Sequence, residues 1–155
     1  MKGVTSIFDS SMIRWEIQDL LIARTEVVRE YPGFARAVVG TWYETLNYIQ
    51  DSSHKDQAVD FMAKESMCSP AEFNAQWKTT AMFLTPELAV KFTGSTDNVE
   101  ANTKVLDFLY KSGIIAPTSS KFGISFPDGT VIGDKNHVML RFDASFMEAA
   151  GAGKL

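Results

Sequence analysis

Residues 8–16, FDSSMIRWE, hold the densest collection of chemically capable groups in this 155-residue chain. Ser10 and Ser11 contribute hydroxyls, Asp9 and Glu16 carboxylates, Arg14 a permanent cation and Trp15 an indole. Together these can hydrogen-bond and stack on a small polar ligand. Serine and aspartate also bond to their own backbone in turns, so the same residues can equally serve to close a turn.

Other chemistries find less support. Hydrolysis by a nucleophile, base and acid calls for a recognisable setting, and the chain has no strand-Gly-x-Ser-x-Gly turn. His54 and His137 lie far apart without ligand-like spacing, and the single cysteine, Cys68, reads as a small filler at a helix end. The ten glycines are scattered as stops and turns, so no loop cradles phosphate. Asp51, Asp56 and Asp60 gather around a helix start, where acids complement the positive end of the helix dipole. Trp42 and Trp77 fall at helical spacing and read as packing residues. No metal or cofactor is expected, and no catalytic residue is assigned.

Fifteen basic and nineteen acidic residues give a net charge of -4, which disfavours non-specific phosphate binding and argues against a nucleic-acid partner. No apolar run approaches the roughly 20 residues of a membrane span. The opening MKGVTSIFDSS lacks the basic-then-apolar order of a secretory signal.

The elements that must position these groups follow from pattern. Ile7 and Phe8, then Leu20 to Ala23, form apolar clusters too short for helices, so residues 4–24 are expected as two strands around a polar turn. Pro32 suits the first turn of a helix running to Gln50, with Phe34, Val38, Trp42, Leu46 and Ile49 as its apolar stripe. A second helix follows DSSHKD, with Ala58, Val59, Met62, Ala63 and Ser66 inward. In SPAEF, Ser69 can cap, Pro70 takes the first helical position and Glu72 returns to the cap amide. Thr85, Pro86 and Glu87 repeat that start for a short helix ended by Gly94, and Asp97 or Asn98 caps the next, which runs to Gly113. PDG between Ile124–Phe126 and Thr130–Ile132 predicts a hairpin, Val138 to Phe142 alternates as a strand would, and DASFMEAA closes the chain as a helix. The chain reads as one domain: mostly helical α/β with a small residual sheet.

This order of elements, with DLLIART, REYPGFARAVVGTWYETLNYI, SPAEF and LTPELAVKF, resembles the C-terminal half of periplasmic solute-binding proteins of the nitrate, sulfonate, taurine and thiamine-precursor type, which feed ABC importers. Leu21, Ile22, Arg24 and Glu26 match that family's returning strand edge. The tail FPDGTVIGDKNHVMLRFDASFMEAAGAGKL is similar to the subgroup encoded beside urea carboxylase. The resemblance implies a partial type II binding-protein fold, a non-enzymatic role, a periplasmic location and an ABC permease as partner of the whole protein.

It also implies that residues 4–24 are strands of sheets whose other members lie elsewhere, so that the chain is a truncated portion which self-associates through exposed strands and binds ligand weakly alone. The cleft-facing residues would be Asp9, Ser10, Ser11 and Glu16, with Trp15 beside them. Asp9 or Glu16 suits a cationic or amide-bearing solute such as urea or guanidine, Arg14 an anion such as nitrate or a sulfonate, and the hydroxyls either. The other reading is a self-contained helical interaction domain whose apolar stripes form a partner groove.

Overall fold

A computed structural model of the chain describes residues 3, 5–115 and 121–154. Helices predominate, with one small three-stranded mixed sheet. The chain divides into two compact units, residues 1–22 with 91–144 and residues 23–90 with 145–155.

The first unit is built on helix α6 (Thr96–Lys111) and the sheet. Ser95 caps α6 by accepting a hydrogen bond from the Asn98 amide at 3.2 Å, in place of the expected Asp97 or Asn98. A hydroxyl one turn earlier leaves Asn98 inside the helix, free to turn its side chain inward. Strands β1 (Gly123–Ser125) and β2 (Val131–Gly133) form the expected hairpin, Ile124 facing Ile132. Its turn is closed by Asp128, whose carboxylate accepts from the Thr130 amide at 2.9 Å and hydroxyl at 2.7 Å. Strand β3 (Val138–Arg141) lies parallel to β1 on its other side, so the order is β2-β1-β3. A second aspartate turn aims it there: Asp134 accepts from the Asn136 amide at 2.9 Å and lies 3.1 Å from His137 Nδ1. Those contacts, the amide first, hold the Asp134 carboxyl below its usual range. Ala101, Leu106, Ile124 and Phe126 are buried, and Phe126 stacks on Phe142 with ring centroids 5.2 Å apart.

The second unit contains α1 (Thr25–Glu30), α2 (Pro32–Gln50), α3 (Lys55–Glu65), α4 (Pro70–Thr79), the start of α5 (Pro86–Thr93) and α7 (Ser145–Gly151). Its core joins Tyr43 and Leu46 of α2 to Ala89 of α5, with Val39, Phe83 and Met147 packed against them. Burial first, and the Glu87 charge second, push the Tyr43 phenol up. Ala58, Val59 and Ala63 bury the inner face of α3 as expected, while Ser66 ends up exposed. Phe73 and Trp77 of α4 approach to 6.0 Å between ring centroids.

Two expectations fail here. The inward face of α2 carries Ala35, Val39, Tyr43 and Leu46, whereas Phe34 is exposed and Trp42 is 52 % exposed. Trp42 is therefore a surface residue. Both stripes obey helical spacing and share Leu46, and tertiary contact rather than periodicity chose between them.

Residues 5–24 form no strand; position 4 lies outside the described residues. Asp9 opens a single 3-10 turn at Ser10–Ile13, the flanks are turn and irregular chain without ladder partners, and α1 begins at Thr25. The two strands expected around a polar turn are therefore absent from residues 5–24. A strand exists only through its ladder partner, and no described strand runs beside this segment. Its apolar side chains stay outside, Ile7 at 92 % exposure.

The SPAEF start forms as read. Ser69 Oγ accepts from the Glu72 amide at 3.3 Å, and Glu72 accepts from the Ser69 amide at 2.9 Å and hydroxyl at 2.7 Å. The hydroxyl first, then the amide, lowers the Glu72 carboxyl below its ordinary value. A lowered carboxyl stabilises the fold above its unfolded pKa, and that contribution disappears as the pH falls through the folded one. Ser69→Ala should thus lower the melting temperature by about 5 °C at neutral pH and by much less in acid. Thermal melts at both pH values test it, and equal losses would refute the reciprocal cap.

Candidate functional site

The five candidate residues separate into two groups. Asp9 Oδ1 accepts from the Ser11 amide at 2.9 Å and from the Ser11 hydroxyl, which together hold the Asp9 carboxyl below its usual range. Asp9, Ser10 and Ser11 are exposed, and the aspartate closes its own turn. Trp15 and Glu16, by contrast, line a partly open recess of about 140 Å³ with Gln18, Leu20, Asn102 and Val105. All six belong to the first unit.

Trp15 adopts φ 67°, the left-handed region that an indole-bearing residue rarely occupies. Such a backbone costs about 1–3 kcal/mol and persists only where its surroundings over-determine it. Here the ring packs on Phe92 with centroids 4.6 Å apart, the Arg14 guanidinium sits 4.9 Å over its face, and Gln18 Nε2 donates to the Trp15 carbonyl at 2.9 Å. Arg14 lies over the indole and is not itself among the residues that line the recess.

Behind the recess runs a ladder of three amides. Gln18 Nε2 also donates to Asn98 Oδ1 at 3.1 Å, Asn102 Nδ2 donates to the Asn98 backbone carbonyl and to Oδ1, both at 2.9 Å, and Asn98 Nδ2 donates to the Thr93 carbonyl at 3.1 Å. Asn98 is 0 % exposed. Because each amide donates to a backbone carbonyl, which can only accept, the orientation of all three is chemically determined.

The consequence for the recess is a bias in sign. The N–H groups of Gln18 and Asn102 are engaged in the ladder, so the hydrogen-bonding capacity these two lining residues have left to offer is that of their amide oxygens. Glu16 adds a carboxylate, tied at the rim to Lys104 at 3.4 Å. The polar lining is thus rich in acceptors, with an indole and the side chains of Leu20 and Val105 as apolar walls. Its volume lies below the roughly 300–1,000 Å³ of drug-sized sites, so it suits a solute of a few heavy atoms.

Among the described residues no group of three His, Cys, Asp or Glu side chains is placed to hold a metal ion. No described helix is long and apolar enough to cross a membrane. Gln18, Asn98 and Asn102 escaped sequence reasoning. The available signal was faint: two asparagines four apart on the α6 face that also carries Leu106, polar residues in an apolar stripe. No family model, curated protein or solved structure matches this chain.

Proposed function

We propose that this chain is the solute-contacting portion of a non-enzymatic periplasmic binding protein that serves an ABC importer, and that its solute is small, polar and rich in hydrogen-bond donors. The observation that carries the reading is the acceptor-lined recess of Glu16, Gln18 and Asn102 beside the Trp15 indole. Donors of an amide, urea or guanidinium group complement those oxygens, and the indole gives such a solute an apolar wall. Nitrate and sulfonates meet a carboxylate and two amide oxygens there and are disfavoured. In the whole protein, two lobes would close around the solute and hand it to a permease.

A recess with one wall binds weakly, with a Kd in roughly the millimolar range. Titrating guanidinium and urea into the labelled chain should shift the Trp15 indole N–H resonance. Glu16→Gln should weaken guanidinium binding by about tenfold, since a charge-assisted pair becomes a neutral one. An unmoved indole signal at tens of millimolar, or equal shifts with nitrate, would defeat the reading.

One observation favours the other class, a helical interaction domain: Phe34, Val38 and Trp42 stand one turn apart on α2, with Phe34 and Trp42 exposed. That stripe predicts a protein partner and no response of Trp15 to small solutes.

A further inference from the structure

Asp19–Ile22 belong to no helix, turn or strand, and none of their backbone groups hydrogen-bonds to a described residue. Leu21 and Ile22 are each 70 % exposed. Elsewhere in the same unit, β3 is an edge strand of equal length, and the backbone groups of Val138–Arg141 that point away from β1 also lack a partner among the described residues. An unpaired apolar segment and an open sheet edge are the two halves of a β-augmentation contact.

We propose that Asp19–Ile22 of one copy adds to the outer edge of β3 in a second copy as an antiparallel strand. The register follows from the residues. Setting Asp19 opposite Arg141 pairs Leu20 with Leu140, Leu21 with Met139 and Ile22 with Val138. Asp19, Leu21, Met139 and Arg141 then share the exposed face, and Leu20 and Ile22 meet the half-buried face of β3. No other register of this pairing unites the opposite charges while matching every apolar side chain. Each copy both offers a segment and presents an edge, so the contact closes as a dimer or continues as a chain of copies. The inference stands independently of the solute-binding reading.

Light scattering across micromolar to sub-millimolar concentration should give masses above the 17.2 kDa of one copy. Leu21→Pro removes a strand donor at a site without backbone bonds to its own fold, so it should weaken association at least tenfold and leave the melting curve unchanged. Asp19→Lys should weaken association several-fold, and adding Arg141→Asp should restore it. Amide exchange should slow at residues 19–22 and 138–141 as concentration rises. A monomer throughout, Leu21→Pro associating like the parent, or the doubly reversed variant staying as weak as Asp19→Lys would each overturn the proposal.

Discussion

Gly133→Ala should lose about 3–4 kcal/mol of stability in the first unit, while Gly129→Ala should lose only about 1 kcal/mol. Both glycines have positive φ, 72° and 87°. A side chain at either position therefore carries the strain of the left-handed region. Their surroundings separate them. Nothing lies within 4 Å of a Cβ at 129, at the tip of the hairpin turn. A Cβ at 133 would overlap the Phe122 carbonyl oxygen and meet Leu106 Cδ2 at 3.0 Å. Relief demands moving the Phe122 backbone that leads into β1, and the Leu106 methyl belongs to a buried side chain with little room to turn aside. The Phe122 carbonyl also accepts from the Asp134 amide at 3.0 Å, so the shift breaks the bond that ends the hairpin. Denaturant unfolding of the two variants measures the difference. Equal losses would show that backbone strain alone sets the cost.

Asn98→Leu should cost about 3 kcal/mol and detach the Trp15 segment from α6. Leucine has the same branched outline and is larger, so no cavity forms and the loss comes mainly from polar pairing. Asn98 Oδ1 is the shared acceptor for Gln18 and Asn102, and its Nδ2 donates to the Thr93 carbonyl. Removing it takes the shared acceptor from two part-buried amides and a donor from the Thr93 carbonyl, at a position that is itself fully buried. Gln18 then holds the Trp15 carbonyl without its own anchor, and the left-handed backbone at Trp15 loses part of what sustains it. The expected signature is a change in the Trp15 indole resonance together with the fall in stability, and weakened guanidinium binding. A loss below about 1 kcal/mol with Trp15 unmoved would show that ring packing on Phe92 is enough to hold the segment.

The helices of the second unit from α2 onward, and the hairpin of the first, were legible because local chemistry decides them, whereas α1 was not foreseen. Pro32 and Gln50 bound α2, Ser69 with Glu72 starts α4, Pro86 starts α5, and Asp128 with Gly129 turns the chain between β1 and β2. Each signal is complete within a few residues. Where two answers satisfied the same local rule, the reading missed. Phe34 and Trp42 repeat at helical spacing as well as Val39 and Tyr43 do, and Ser95 caps as ably as Asp97.

The candidate site was half legible. Trp15 and Glu16 stood out by residue type, and they line the recess. Asp9, Ser10 and Ser11 stood out for the same reason but close a turn. Gln18 and Asn102 are 84 positions apart and meet only through Asn98. No spacing rule reaches across that distance.

Sequence alone determined where helices begin and end, where the hairpin turns, and that Ile7, Phe8 and Leu20 to Ile22 favour extended backbone, since propensity, capping and turn geometry act over one or two turns of chain. Only the tertiary structure decided which helix face is buried, that three amides engage their N–H groups with one another and with backbone carbonyls beside a recess, and that residues 19–22 find no strand to pair with. Those outcomes depend on which distant groups arrive at the same place, because burial and hydrogen-bond completion are properties of a neighbourhood rather than of a residue.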